Sequence, residues 1–169
     1  MRKSVISAAI LAGLLTLKAG SGAAVQVAYA APSLSETDPA GLEEAARNLF
    51  PNPKRYGEAV KLFLKAAELR APADPMRVSD LVMASRLSFY RGDAEKARAL
   101  MERAADEALT YGDVVTAAQT YLDAAFLAQE AKDRESVKRL AKRAEQLSNS
   151  PLLAADQRAN IRRRVPPGV

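Results

Sequence analysis

The sequence predicts an all-α protein whose antiparallel helical hairpins stack one after another along the chain. Three observations support this. Capping side chains followed by proline, or preceded by glycine, recur at regular intervals. Between them, apolar residues recur at spacings of three and four, which is the period of an amphipathic helix. No stretch alternates between apolar and polar residues for long enough to form a half-buried strand.

The first thirty residues predict a secretory signal peptide. Arg2 and Lys3 precede an uncharged, largely apolar run over 5–17, and Ala28-Tyr29-Ala30 fits the small-x-small cleavage pattern. Cleavage is expected between Ala30 and Ala31, which places the protein in the periplasm or outside the cell. The alternative is a retained membrane anchor, although the run is shorter than the roughly 20 apolar residues that span a bilayer.

The chain that follows this segment is nearly neutral but unevenly charged. Without Arg2, Lys3 and Lys18 its formal charge falls from +5 to +2. Segment 132–164 is basic and segment 31–131 is mildly acidic. Residues 31–37 form a polar leader that we expect to be flexible.

Seven capping residues divide the remaining chain into helices. Each has a side-chain oxygen that accepts a backbone N–H of the first helical turn. They are Asp38, Asn52, Asp74, Asp93, Asp113, Asp133 and Ser150. The predicted helices cover 39–50, 53–70, 75–91, 94–111, 114–131, 134–148 and 151–163.

The links between these helices are short, so consecutive helices are expected to pack antiparallel. Alanine crowds the predicted contact faces, for example at Ala66 and Ala104, where small side chains let helix axes approach closely. A few large side chains are expected to fill the remaining space: Phe50, Phe63, Phe89, Tyr90, Tyr121 and Phe126.

Three segments resemble the second helix of a tetratricopeptide repeat. The first runs from Tyr56-Gly57-Glu58-Ala59 through Phe63 and Ala66 to Pro72, the second opens at Gly92-Asp93-Ala94 and contains Ala97 and Ala104, and the weaker third runs from Lys132-Asp133 to Ala144. The resemblance implies three hairpins over 38–149, a capping helix over 150–164 and a flexible tail over 165–169.

The repeat is longer than the 34 residues that are usual in this family. Ala59, Ala97 and Val137 occupy equivalent positions and are 38 and 40 residues apart. The first helices also lack the family's tryptophan and its Leu-Gly pair. Longer helices explain the period, and a closed bundle of the same hairpins remains the alternative to an open stack.

No catalytic, metal or cofactor chemistry is predicted. The chain contains no histidine and no cysteine, and it has no phosphate-binding glycine loop or nucleophile motif. Asp106 and Glu107 are adjacent and should point to different sides of one helix. Glu43 and Glu44 should lie in a first helical turn and favour its dipole.

A basic patch is predicted on the sixth helix, where four side chains gather on one side: Lys138, Arg139, Lys142 and Arg143. It is interpreted either as a solvated outer face or as a contact with anionic lipid or an acidic partner. Membrane contact of this kind would be peripheral. Nucleic acid is not expected, because no aromatic residues alternate with the charges.

The resemblance also implies a partner-binding groove lined by the first helices of the hairpins. The matching positions are Arg86, Phe89, Tyr90, Gln119, Leu122 and Phe126. The alternative is that Phe89, Leu122 and Phe126 are ordinary core residues. We therefore predict a scaffold or adaptor for a protein or peptide, or alternatively an envelope-structure protein that uses its basic C-terminal helices. The sequence predicts neither the partner's identity nor an oligomeric state.

Overall fold

A computed structural model describes residues 38–166, and this part of the chain is built from helices without any strand. It confirms the all-α prediction. A 3₁₀ turn at Pro53–Arg55 precedes the second helix. The α-helices are α1 (Pro39–Arg47), α2 (Tyr56–Leu69), α3 (Pro75–Tyr90), α4 (Ala94–Thr110), α5 (Val114–Glu130), α6 (Arg134–Ser148) and α7 (Ala155–Arg164). The predicted signal peptide, the leader and residues 167–169 lie outside the described residues.

Six of the seven predicted caps are confirmed. Asp74 accepts the N–H of Met76 at 2.8 Å, and Asp93, Asp113 and Asp133 each accept an N–H three residues later, at 3.1, 2.9 and 3.0 Å. Asp38 caps α1 in the same way, and Asn52 caps the 3₁₀ turn. These bonds satisfy backbone donors that a helix cannot satisfy internally.

The seventh cap is wrong. Ser150 accepts the N–H of Leu152 in a turn, and α7 begins only at Ala155. Leu153 explains why α7 begins later than predicted, because this residue is 3% exposed and holds the turn in the core. At the start of α7 the backbone N–H of Ala154 donates to Oε1 of Gln157 at 2.9 Å.

Three identical turns connect α3, α4, α5 and α6. In each, a residue with positive φ follows the helix: Gly92 at 83°, Gly112 at 82° and Lys132 at 60°. The next residue, an aspartate cap, donates its backbone N–H to a carbonyl five residues earlier. The turns recur every twenty residues, and this interval accounts for a hairpin period longer than the family's.

Consecutive helices pack against each other along the described chain, and α7 packs on α6 and more lightly on α5. Opposite directions are evident from the ion pair between Arg77, at the start of α3, and Glu107, at the end of α4. Alternate helices run in the same direction and also touch. Arg139 and Arg143 on α6 each contact a carboxylate of α4 that lies 37 residues earlier.

The core consists largely of alanine with a few large side chains. Ala66 and Ala104 are fully buried, as predicted, and Phe63 and Tyr121 fill space between helices. Of the other predicted fillers, Phe50 and Phe89 are half-buried, whereas Tyr90 is 70% exposed and Phe126 is 54% exposed. Val165, expected to begin a flexible tail, packs against the core. None of the helices over 38–166 is long and apolar enough to cross a membrane.

Candidate functional site

A cavity lies between α3 and α5, where the resemblance placed a binding groove. Its volume is about 200 Å³, and it is lined by residues of α3, α4 and α5: Ser85, Arg86, Phe89, Tyr90, Met101, Asp123, Phe126 and Leu127. Phe89 and Phe126 meet edge to face across it, with ring centroids 6.5 Å apart. The structure thus brings four of the six predicted groove residues together.

Aromatic rings continue from this cavity onto the neighbouring helices. Tyr90 lies 6.3 Å from Phe89 and 6.4 Å from Tyr56, measured between ring centroids. The row therefore runs from α2 through α3 to α5. Tyr90 and Phe126 are the most exposed aromatic side chains among the large apolar residues of the described range. Exposed rings beside a cavity are typical of a surface that binds another molecule.

A second cavity adjoins the first and shares Asp123 and Phe126 with it. Its volume is about 290 Å³, and its lining extends to the end of α7: Leu122, Asp123, Ala125, Phe126, Gln129, Arg164 and Pro166. Arg164 donates from Nη2 to Oδ1 of Asp123 at 2.5 Å, which ties α7 to α5 beside this cavity. We call the two cavities and their shared rim the α3–α5 groove.

The remaining predicted groove residues differ in their positions. Leu122 is 4% exposed and belongs to the core, so it only forms part of the floor of the second cavity. Gln119 is exposed on α5 but lines neither cavity.

Arg86 is exposed at the rim of the first cavity, and within residues 38–166 its guanidinium has no hydrogen-bond or ion-pair partner.

The predicted basic patch is half occupied by contacts within the chain. Arg139 forms two hydrogen bonds with the carboxylate of Glu102, one of them at 2.9 Å. Arg143 lies 3.2 Å from Asp106, and its guanidinium lies 4.9 Å from the ring centre of Tyr121. Lys138 and Lys142 are exposed and have no such partner in the described part of the chain. Only these two lysines of the patch are free to meet an anionic surface.

Polar contacts thus hold α4 and α6 together on one side of the helices, which we call the α4–α6 side, and Tyr121 of α5 takes part in them. Tyr121 donates its phenol to Oδ1 of Asp106. Burial, together with this hydrogen bond, raises the pKa of Tyr121 above its usual value. The hydrogen bond from Arg139 is the main cause that lowers the pKa of Glu102. As predicted, Asp106 and Glu107 serve different sides, because Glu107 pairs with Arg77 on α3.

The sequence did not predict the contacts of two groups of residues. Asp123 and Arg164 line the groove, but a contact across 41 residues leaves no local pattern. Glu43, expected to favour a helix dipole, instead joins Asp80 around the guanidinium of Arg70. The sequence does contain an indication for Asp80, since it lies on the same helical face as the buried Ala84 and Leu87.

No protein-family model and no curated protein sequence matches this chain. The site is therefore interpreted from its own geometry. Among residues 38–166, no group of three or more acidic side chains is arranged to hold a metal ion. The most distinctive surface in this range is the α3–α5 groove, with its exposed rings and its unpaired arginine.

Proposed function

We propose that this chain is an exported protein-interaction module, a scaffold or adaptor whose partner lies in the α3–α5 groove. In this proposal the helices form an open, tetratricopeptide-like stack that carries no catalytic residues or cofactor. The predicted signal peptide is the reason for placing the protein in the periplasm or outside the cell.

One observation carries the proposal: charged side chains are paired on one side of the helical array, whereas aromatic rings are exposed on the other. On the α4–α6 side, arginines and carboxylates of alternate helices pair with one another. On the α3–α5 side, Tyr90 and Phe126 expose most of their surface beside two cavities. Exposure of these rings to water is unfavourable, and a partner that covers them removes that cost.

The repeated contacts support the stacked arrangement. Phe89 and Phe126 are 37 residues apart and touch, as do the arginine–carboxylate pairs of α4 and α6 at the same interval. A constant offset between alternate helices is expected of a two-helix repeat, and each added hairpin then lengthens the same face.

A capture experiment on the tagged protein in its native envelope tests the proposal. The double variant Arg86→Ala, Phe126→Ala should lose most of the crosslinked partner, because it removes the exposed rim without touching the core. The matched variant Lys138→Ala, Lys142→Ala should retain it at low and at high salt. The opposite result, with capture that depends on the lysines and fades with salt, would favour the envelope-structure alternative.

Export is tested separately by sequencing the N-terminus of the protein isolated from cells. We expect the mature chain to begin at Ala31, and Ala30→Leu should leave the precursor uncut. An intact N-terminus on the wild-type protein in the envelope fraction would instead support a retained anchor.

A further inference from the structure

We infer that the α3–α5 groove takes an acidic peptide segment that inserts a large apolar side chain beside Phe126 and places a carboxylate on Arg86. The inference rests on the proposed function and specifies the chemistry of the partner. It follows from the size of the cavities, the charge of their rim and the position of the exposed rings.

The size of each cavity matches a single side chain. Small-molecule sites usually enclose about 300–1,000 Å³, whereas the two cavities measure about 200 and 290 Å³. A cavity of about 150 Å³ holds one benzene ring. The cavity beside Phe89 therefore has room for one aromatic or branched aliphatic side chain, and the second cavity has room for another.

The charge of the rim favours an acidic segment. Arg86 lines the first cavity without a partner of its own in the described range, while Asp123, the acidic residue of the lining, is already paired with Arg164. Arg91, one residue after Tyr90, lines neither cavity, since its guanidinium lies over Gly57 of α2, so Arg86 is the unpaired cation of the rim within 38–166. A carboxylate on the partner gains a charge-assisted hydrogen bond there, whereas a lysine meets an uncompensated positive charge.

A membrane surface is the competing occupant, since exposed tyrosine and phenylalanine beside arginine also suit an anionic bilayer. The rings here flank cavities, however, and Phe89 beneath them is half-buried. A bilayer leaves such recesses unfilled, whereas a protruding side chain fills them. The geometry therefore favours a peptide.

The test is an NMR titration of the ¹⁵N-labelled chain that begins at Ala31 with acetylated nine-residue peptides. The first probe has a central phenylalanine flanked by glutamate and serine. In the second, alanine replaces the phenylalanine, and in the third, lysine replaces the glutamates. We expect the first probe to shift amides of α3 and α5 and the other two to bind about tenfold more weakly.

Two variants and one vesicle sample complete the test. Arg86→Glu should reverse the preference so that the lysine peptide binds more tightly, whereas Lys142→Glu, a matched reversal on α6, should change neither affinity. A lysine peptide that binds the wild-type groove as tightly as the acidic one would overturn the inference and leave the proposed function standing. Absence of shifts with every probe would also overturn the inference. The envelope capture experiment would still test the proposed function independently. Phe126-dependent binding to phosphatidylcholine–phosphatidylglycerol vesicles, without peptide binding, would identify the groove as a membrane contact.

Discussion

Arg70 holds three carboxylates at the junction of α1, α2 and α3. Its Nε donates to Asp80 at 2.8 Å, one terminal nitrogen contacts Asp74 at 3.1 Å, and the other contacts Glu43. The side chains of Asp80 and Glu43 are only 1% and 8% exposed. Asp80 is removed from water and depends on this one guanidinium, whereas Glu43 also pairs with Arg47 at 2.8 Å.

Replacing Arg70 with methionine should therefore be strongly destabilising. We expect the free energy of unfolding to fall by about 3–5 kcal/mol, since the buried Asp80 loses its counter-ion and Glu43 keeps only Arg47. Arg55→Met is the matched control, because Arg55 pairs with Glu58 on the surface and both side chains are about half exposed. The control should cost no more than about 1 kcal/mol. Equal losses in urea denaturation would show that the buried network is not specially stabilising.

Asp80 should make stability depend on pH. Burial is the main cause that raises its pKa to about 6, the hydrogen bond from Arg70 opposes this, and the charge of Glu43 adds to it. The folded chain therefore binds a proton more readily than the unfolded chain does. The stabilisation is complete below the ordinary aspartate pKa, declines as pH rises toward 6, and is absent above it.

We expect Asp80→Asn to remove this decline. In denaturation measured from pH 4 to pH 7, the wild type should lose about 1 kcal/mol or more relative to Asp80→Asn. Asp156→Asn, on the exposed first turn of α7, should leave the wild-type profile unchanged. A wild-type profile parallel to that of Asp80→Asn would mean that Asp80 keeps an ordinary pKa.

Among the three turns with positive φ in the described chain, the one at Lys132 is the only one formed by a residue other than glycine. Gly92 and Gly112 adopt positive φ at the two equivalent turns, but Lys132 has a Cβ atom and a φ of 60°. A left-handed conformation costs a residue other than glycine about 1–2 kcal/mol, while glycine loses about 0.5–1 kcal/mol in backbone entropy.

Lys132→Gly should therefore stabilise the protein slightly, by up to about 1 kcal/mol in thermal or urea unfolding. The converse change, Gly112→Ala, should destabilise it by about 1 kcal/mol, and its Cβ would meet no neighbouring atom, so that any loss arises from the backbone alone. A destabilised Lys132→Gly protein would indicate a contribution of the lysine side chain that outweighs the backbone term.

The helix contacts themselves are tested at Ala104. This residue is fully buried on α4, so a leucine there should overpack the interface at a cost of about 1–3 kcal/mol. Ala154 is exposed just before α7 and should accept the same change without loss. If Ala104→Leu kept the wild-type thermal midpoint, the packing face of α4 would be wrongly assigned.

At the scale of the whole molecule, packing between sequential neighbours predicts that the ends can be removed without collapse. A chain that ends at Ser150 loses α7 and the buried Leu153 and Ile161. In an open stack it should melt at a lower temperature but keep its helical circular dichroism signal, since each helix depends mainly on its neighbours. Complete loss of cooperative folding would instead indicate a closed bundle in which α7 is indispensable.

The sequence by itself determined the helices and most of their ends, because caps, prolines and glycines act through backbone hydrogen bonds within a few residues. Six caps follow from that local chemistry, and the crowding of alanine on one helical face indicated the buried positions Ala66 and Ala104. The resemblance to tetratricopeptide repeats, rather than periodicity, implied that Arg86, Phe89, Tyr90 and Phe126 share one surface, and these four residues line one cavity.

Only the tertiary structure decided which charges remain free and which are neutralised. Arg143 and Arg86 look alike in sequence, yet Arg143 meets Asp106 across α4 and α6, whereas Arg86 meets no partner in the described chain. The pairing of Asp123 with Arg164 and the burial of Leu122 likewise depend on helices far apart in sequence. Coulombic contacts and burial are set by distance in space, and the register of one helix against another sets those distances.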